Sequence, residues 1–184
     1  MTVRTFVAVD LEPRVRAAIG ELQAGLRHHV AGIRFLRPEG IHLTLRFLGQ
    51  TTPDQVERLG STLAAAAAAC PPGEARLAGL GTFPEAGRPR VLWLGLEIPP
   101  PLLELQKACE RAARAAGFER EDRPFRAHLT LGRWRERASL AELPPADLGL
   151  ARLDTLVLFR SDLRPDGAVY SPIHRFSLSG GQPG

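Results

Sequence analysis

The stretch Ile41-His42-Leu43-Thr44-Leu45-Arg46-Phe47-Leu48 contains a tetrapeptide, His-Leu-Thr-Leu, that recurs in the second half of the chain as His128-Leu129-Thr130-Leu131. An extended segment containing Arg and Pro precedes each copy, and a predicted strand and helix precede each copy at a comparable distance. Such similar surroundings in both halves predict two similar lobes about a pseudo-twofold axis, each giving one strand to a shared cleft.

The tetrapeptide itself predicts a directed strand face. Successive side chains of a strand point to opposite faces, so the two leucines should face a core while His and Thr share the other face, with their Cα atoms about 7 Å apart. Two such strands facing each other would place two imidazoles and two hydroxyls around one site.

The remaining pattern predicts strands joined by short turns together with three helices. We expect helices from Pro13 to about Val30, from about 53 to 70 after the capping box Thr52-Pro53-Asp54-Gln55, and from Pro99–Pro101 to about Ala116, where Gly117 ends the helix. We expect strands over 3–9, 33–36, 41–48 (ended by Gly49), 74–82, 90–97, 125–133, 152–161 and 168–178. This order favours one antiparallel α+β domain over residues 1–184, with 179–184 as a frayed tail.

Composition is that of an ordinary globular protein, with 44% hydrophobic and 24% charged residues. No apolar run approaches the roughly 20 residues that span a bilayer, and the start of the chain looks like a strand rather than a signal peptide, so we expect a cytoplasmic protein. The net charge of +4 permits a phosphate-bearing partner without requiring one. Cys70 and Cys109 are expected to be reduced, partly buried thiols.

Paired imidazoles and hydroxyls suit phosphodiester chemistry. One imidazole can accept a proton from the attacking oxygen while the other donates a proton to the leaving oxygen. The hydroxyls can donate hydrogen bonds to the phosphate oxygens. This chemistry requires neither a metal nor a covalent intermediate, and we expect no cofactor.

Less specific interpretations compete with this one. A single His-x-Thr on a strand is usually an ordinary polar face, but packing does not require the same four residues twice. Two histidines and two threonines without a matched carboxylate or thiolate make a poor metal site. His28 and His29 are expected to face solvent at the end of the first helix, and His174 either lines the cleft or belongs to a polar face.

Two arginines are candidate phosphate ligands. Arg133 should lie opposite His128 by strict alternation, unless a bulge at Gly132 turns it toward the phosphate. Arg46 is expected on the same face as His42 and Thr44. Some aromatic residues can stack on a base, although most should be core; they are Phe35, Phe47, Trp93 and Trp134.

These motifs resemble those of the two-histidine phosphoesterase superfamily, which is named for its paired His-x-Thr/Ser-x motifs. Within it, the chain is similar to the bacterial and archaeal RNA 2′,3′-cyclic phosphodiesterases, formerly called 2′-5′ RNA ligases. The resemblance covers nearly the whole chain; its segments are 4–10, 36–49, 81–84, 88–93, 123–133 and 161–170. One departure is Ala127, where the family often has Pro before the second His.

The resemblance implies a bilobal α+β fold with a central cleft between two antiparallel sheets and helices outside. It implies metal-independent hydrolysis of an RNA terminal 2′,3′-cyclic phosphate to a 2′-phosphate, with RNA ends as partner and a monomer as the expected assembly. In these roles His42 would be the proton donor and His128 the proton acceptor, and Thr44, Thr130 and Arg133 would hold the phosphate. The near-identical copies do not by themselves distinguish the acid from the base.

Three alternatives stay open. They are a 2′-5′ RNA ligase, a phosphodiesterase on another small cyclic nucleotide, and a module that binds RNA ends without turnover. The intact histidine pair argues against the last, because pure binding can use Arg or backbone amides.

Overall fold

The structure is a computed structural model that describes residues 1–135, 142–165 and 167–181. The helices are α1 (Pro13–Leu26), α2 (Pro53–Ala69) and α3 (Pro100–Ala115). The strands are β1 (Val3–Val9), β2 (Ile33–Phe35), β3 (Leu43–Thr51), β4 (Gly73–Phe83), β5 (Val91–Glu97), β6 (His128–Trp134), β7 (Asp147–Leu153), β8 (Thr155–Arg164) and β9 (Gly167–Ser177). No helix within these residues combines the length and apolar composition needed to cross a bilayer.

Two antiparallel sheets form the framework. The first has the strand order β3-β1-β8-β9 and the second the order β2-β6-β5-β4-β7. Each half of the chain contributes a strand-helix-strand unit whose strands pair, β1-α1-β3 in the first sheet and β5-α3-β6 in the second. The predicted bilobal antiparallel α+β fold is confirmed.

The two motif strands are anchored by their leucines, as the alternation predicts. Leu43, Leu45, Leu129 and Leu131 are each at most 4% exposed and belong to the main core, which also contains apolar residues of all three helices. Burying a leucine side chain contributes about 2 kcal/mol. The opposite face of each motif strand is therefore left for His and Thr.

Several predicted boundaries are wrong. α1 ends at Leu26 rather than near Val30, and β6 begins at His128 rather than at 125. Gly49 does not end β3: it has φ +77°, pairs with Thr5 beside a register shift, and the strand continues to Thr51. Glycine fits this bulge because a residue without Cβ adopts a positive φ without steric cost.

The strand predicted over 152–161 is in fact two strands in different sheets. β7 pairs with β4 in the second sheet, and β8 pairs with β1 and β9 in the first. The chain changes sheets at Asp154, whose backbone carbonyl accepts the N–H of Leu178 at 2.8 Å. Local sequence does not show this, because apolar residues continue on both sides of Asp154 without a turn signal.

Gly180 and Gly181 make backbone hydrogen bonds to the end of α2. The N–H of Gly180 donates to the carbonyl of Cys70 at 3.0 Å, and the N–H of Gly181 donates to the carbonyl of Ala68 at 2.9 Å. Carbonyls in the last turn of a helix lack partners within the helix, and these bonds satisfy two of them at the end of α2. Residues 182–184 of the predicted tail lie outside the described part of the chain.

We predict that Gly81→Ala destabilises the fold, because a Cβ at Gly81 would lie 2.2 Å from Trp93 Cζ2 and force the indole to move. The expected loss of unfolding free energy is about 1–3 kcal/mol, measured by urea denaturation. Gly25→Ala is the matched control: a Cβ there meets nothing within 4 Å, and alanine should stabilise α1 by up to about 1 kcal/mol. Equal stability of Gly81→Ala and wild type would contradict the packing described.

Candidate active site

Both motif strands carry a bulge at the same place, on the second leucine. In the first sheet Ala8 pairs with Thr44 and Val7 with Arg46, so Leu45 has no partner. In the second sheet Trp93 pairs with Thr130 and Leu92 with Gly132, so Leu131 has none. Each bulge reverses the alternation beyond the tetrapeptide, because the extra residue shifts the strand by one position.

The bulge decides the orientation of Arg133. Leu131 and Gly132 are both buried, whereas Arg133 is exposed, so Arg133 leaves the core face. Its positive charge lowers the pKa of His128 and acts in the same direction on the pKa of Tyr170. The bulge that the sequence suggested is present, one residue before Gly132.

The prediction that Arg46 shares the face of His42 and Thr44 is wrong. Arg46 is 8% exposed, and its Nε lies 2.5 Å from Glu110 Oε2 of α3. Its guanidinium also donates to the carbonyls of Phe47 and Glu119. The bulge at Leu45 turns Arg46 to the helix side, and Phe47, 51% exposed, takes the position equivalent to Arg133. Arg46 is therefore no candidate for phosphate binding.

His42 is enclosed by aromatic rings. Its ring stacks on Phe6 at 4.6 Å between centroids, meets Tyr170 edge-on at 5.2 Å and lies 5.7 Å from Phe159. Burial lowers the pKa of His42 to about 4, and the backbone of Gly40 opposes this shift. The imidazole is therefore neutral at pH 7 before a ligand binds.

His128 has the same kind of support from the other half. Phe83 meets its ring edge-on at 5.0 Å, and Nδ1 lies 2.7 Å from the carbonyl oxygen of Arg126. A carbonyl only accepts, so Nδ1 carries the proton and Nε2 is left for chemistry. Burial is the largest cause that lowers the pKa of His128, followed among the lowering causes by the charges of Arg133 and Arg126.

The two motifs lie on neighbouring strands of different sheets. β3 and β6 approach each other within 8 Å between Cα atoms. The ring of Tyr170 contacts His42, and the positive charge of Arg133, which follows the second motif, acts to lower the pKa of Tyr170. The half-buried Thr44 and Thr130 lie two residues after each histidine, next to Ala8 and Trp93 respectively. The structure therefore brings His42, Thr44, His128, Thr130 and Arg133 to one region.

Other sequence candidates lie elsewhere. His28 and His29 are exposed beyond the end of α1, as predicted. His174 on β9 packs toward α2, where a Cβ at Gly60 would lie 3.4 Å from its Nε2, and it is not brought to the motifs. Cys70 and Cys109 are buried free thiols, and burial raises the pKa of Cys109 to about 12. Within the described ranges, no three His, Cys, Asp or Glu side chains are grouped to hold a metal ion.

The aromatic candidates divide in the same way. Trp134 is core, with its Nε1 donating to the Ala31 carbonyl at 3.0 Å, and Phe35 lies under the guanidinium of Arg27. Trp93 and Phe47 remain beside the motifs. Sequence reasoning missed four aromatic residues that surround the imidazoles: Phe6, Phe83, Phe159 and Tyr170. Phe6, Phe159 and Tyr170 lie on predicted strands and Phe83 directly follows the predicted strand 74–82, but pairing across the sheets was needed to place them.

We predict that His42 makes the free energy of unfolding depend on pH. The pKa of His42 is lower in the folded state, so the unfolded chain binds more protons between pH 6.5 and pH 4. Its contribution is present above pH 6.5 and is lost as the pH falls through about 4, which amounts to about 3 kcal/mol of unfolding free energy. The measurement compares urea denaturation of wild type and His42→Phe across this range; an unchanged difference between them would contradict the enclosure of His42.

Comparison with known proteins identifies the family to which this chain belongs. The family description LigT like Phosphoesterase matches residues 9–93 and 96–170. The RNA 2′,3′-cyclic phosphodiesterase of Methanothermobacter thermautotrophicus is 34% identical over 97% of this chain and 100% of its own length. That of Thermus thermophilus is 36% identical over 97% of this chain and 91% of its own.

Solved structures agree with this. A crystal structure of a Thermus thermophilus protein has a TM-score of 0.86 at 33% identity, covering 97% of this chain and 100% of that chain. The structure of E. coli LigT complexed with 3′-AMP has a TM-score of 0.83 at 26% identity, covering 97% of this chain and 99% of that chain. With its paired motifs, two-sheet fold and nearly full-length matches, the chain belongs to the LigT-like phosphoesterase family.

Proposed function

We propose that this chain is an RNA 2′,3′-cyclic phosphodiesterase that hydrolyses a terminal cyclic phosphate to a 2′-phosphate without a metal. The observation that carries the proposal is the matched pair of His-x-Thr motifs, each with a bulge on the same leucine and a histidine ring packed against aromatic side chains. Curated relatives at 27–36% identity over most of the chain are named RNA 2′,3′-cyclic phosphodiesterases, which supports the substrate class.

In the proposed reaction, water attacks phosphorus and the bond from phosphorus to the ribose 3′ oxygen breaks. Neutral His128 accepts a proton from water at Nε2, and protonated His42 donates a proton to the leaving 3′ oxygen. The products are a 2′-phosphate and a 3′ hydroxyl, and the proton balance between the two histidines is restored through solvent.

The surroundings of the two histidines support this division of roles. A buried imidazole with a low pKa is a strong acid once protonated, which suits His42 as proton donor to an alkoxide. Substrate phosphate is an anion, and an anion beside an imidazole favours its charged form, so the cyclic phosphate itself would promote protonation of His42.

Thr44, Thr130 and Arg133 would hold the phosphate. Two hydroxyls can donate to non-bridging oxygens, and Arg133 supplies a guanidinium beside His128 whose charge matches the phosphate. Phe47 offers an exposed ring 6.0 Å from the Phe6 ring, on which the neighbouring base can stack. A monomer in the cytoplasm is part of the same proposal, and gel filtration tests the assembly.

Ligation through a 2′-5′ linkage, action on another cyclic nucleotide and binding without turnover are the competing functions. The relative E. coli LigT is known in complex with 3′-AMP, which supports recognition of a phosphorylated nucleoside in this family. A panel of cyclic-ended oligonucleotides and cyclic mononucleotides, with products resolved as 2′- or 3′-phosphates, separates these functions. Tight binding without product after long incubation would favour the binding module.

We predict that His42→Ala and His128→Ala each reduce turnover of an RNA 2′,3′-cyclic phosphate by about 100-fold or more, because each removes one proton-transfer group. Activity is measured by separating the cyclic and opened ends, and circular dichroism checks folding. His174→Ala is the matched control, because His174 lies against α2. Full activity in either motif variant would sink the proposal, as would loss of wild-type activity in excess chelator.

We predict that Arg133→Ala weakens substrate binding by about 10- to 100-fold, since it removes a hydrogen bond between charged groups. Arg133→Lys should recover part of this loss, because lysine keeps the charge without the planar fork. The measurement is KM for a cyclic-ended oligonucleotide. Arg152→Ala on β7, which breaks an exposed pair with Asp154, should leave KM unchanged. An equal effect of both variants would assign Arg133 no specific role.

A further inference from the structure

Gln23 is a buried polar residue of α1 whose side chain reaches into the other half of the molecule. It is 4% exposed, and its Nε2 donates to the Leu131 carbonyl at 3.0 Å and to the Leu36 carbonyl at 2.9 Å. The N–H of Leu36 donates to the same Leu131 carbonyl at 2.9 Å. Leu131 is the bulge residue of the second motif. Its bulge is thus held by the helix and the segment that precede the first motif.

Glu110 occupies the equivalent position on α3. Gln23 is the eleventh residue from Pro13 in α1, and Glu110 is the eleventh from Pro100 in α3. Glu110 Oε1 accepts the N–H of Glu121 at 3.2 Å, and Glu110 Oε2 lies 2.5 Å from Arg46 Nε. The Nε–H does not point at this oxygen, so the contact is an ion pair rather than an aligned hydrogen bond.

Arg46 completes the second of these arrangements. It directly follows Leu45, the bulge residue of the first motif, and donates to the carbonyl of Glu119. The segment 118–127 has no regular secondary structure, and it leads to the Arg126 carbonyl that holds His128. The strand of the first motif is thus tied to the helix and the segment that precede the second motif.

We propose that Gln23 and the Glu110–Arg46 pair are equivalent positioning clamps, each holding the bulge of one motif strand through elements that precede the other motif. The inference deepens the proposed function and rests on it. Neither clamp touches the substrate; each acts on the backbone that aims His128, Thr130 and Arg133, or on β3, which carries Thr44 and directly follows His42.

The clamps affect the geometry of the site as well as stability. A bulge sets the local register of its strand, and the register decides which face each following side chain takes. Without the Gln23 amide, the Leu131 carbonyl keeps only the N–H of Leu36, and regular pairing of β6 would turn Arg133 back toward the core face. Without the Arg46 guanidinium, the irregular segment before His128 loses its contact with β3 at Glu119. A displacement of about 1 Å at such a site can cost about 100-fold in rate.

The test uses conservative variants of both clamps in the full chain. Gln23→Met keeps the side-chain length and removes the donor; Glu110→Gln removes only the charge; Arg46→Lys keeps the charge and removes the fork. We expect each variant to reduce the turnover number by about tenfold or more. We also expect shifted imidazole nitrogen and carbon-bound proton NMR signals of His128 in Gln23→Met, Glu110→Gln and Arg46→Lys, with the far-ultraviolet circular dichroism unchanged.

Gln55→Met is the matched control. The Gln55 side chain also joins elements, since its Nε2 donates to the Ala116 carbonyl at 3.2 Å and its Oε1 accepts the N–H of Thr52. This variant should lower thermal stability while leaving the turnover number and the histidine signals as in wild type.

Clamp variants that lose stability yet keep the wild-type turnover number and ring signals would overturn the proposal. If wild type itself does not open a cyclic phosphate, the proposed function fails, and the ring signals alone decide the clamps. If Gln23→Met does not fold, Glu110→Gln and Arg46→Lys decide by the same two measurements.

Discussion

Burial of the motif leucines is the constraint on which the rest of the structure depends. Leu43, Leu45, Leu129 and Leu131 are held in the core with at most 4% exposure. Moving even one of them to solvent would cost about 2 kcal/mol of unfolding free energy, more than a typical exposed salt bridge contributes. Because strand side chains alternate, this burial commits the histidine and threonine between the leucines to the opposite face.

A bulge in each motif strand then reverses this alternation directly after the tetrapeptide. After Leu45 and Leu131 the alternation reverses, so the next residue of each strand, Arg46 or Gly132, is buried. The residue after that, Phe47 or Arg133, is turned outward. One copy of the motif is thus bordered by an aromatic ring and the other by a cation, which makes two nearly identical tetrapeptides chemically different.

The halves also depend on each other for their sheets. β2 precedes the first motif but pairs with the strand of the second, and β8 and β9 come from the end of the chain but complete the sheet of the first motif around β1. Buried aromatic rings close around His42 only because Phe6, Phe159 and Tyr170 meet there from three different strands. The low pKa of His42 is therefore a property of the assembled sheet rather than of the motif.

Sequence by itself determined the repeat, the helix starts, the α+β class and the face shared by each His and Thr, because these follow from local periodicity, caps and strand alternation. It did not place Arg46, which alternation assigns to the His42 face and a bulge assigns to Glu110. Nor did it separate β7 from β8 or identify the carbonyls and rings around the imidazoles. Only the tertiary structure decided these features, since strand register, sheet partner and burial depend on residues far apart in the chain, and no local pattern records them.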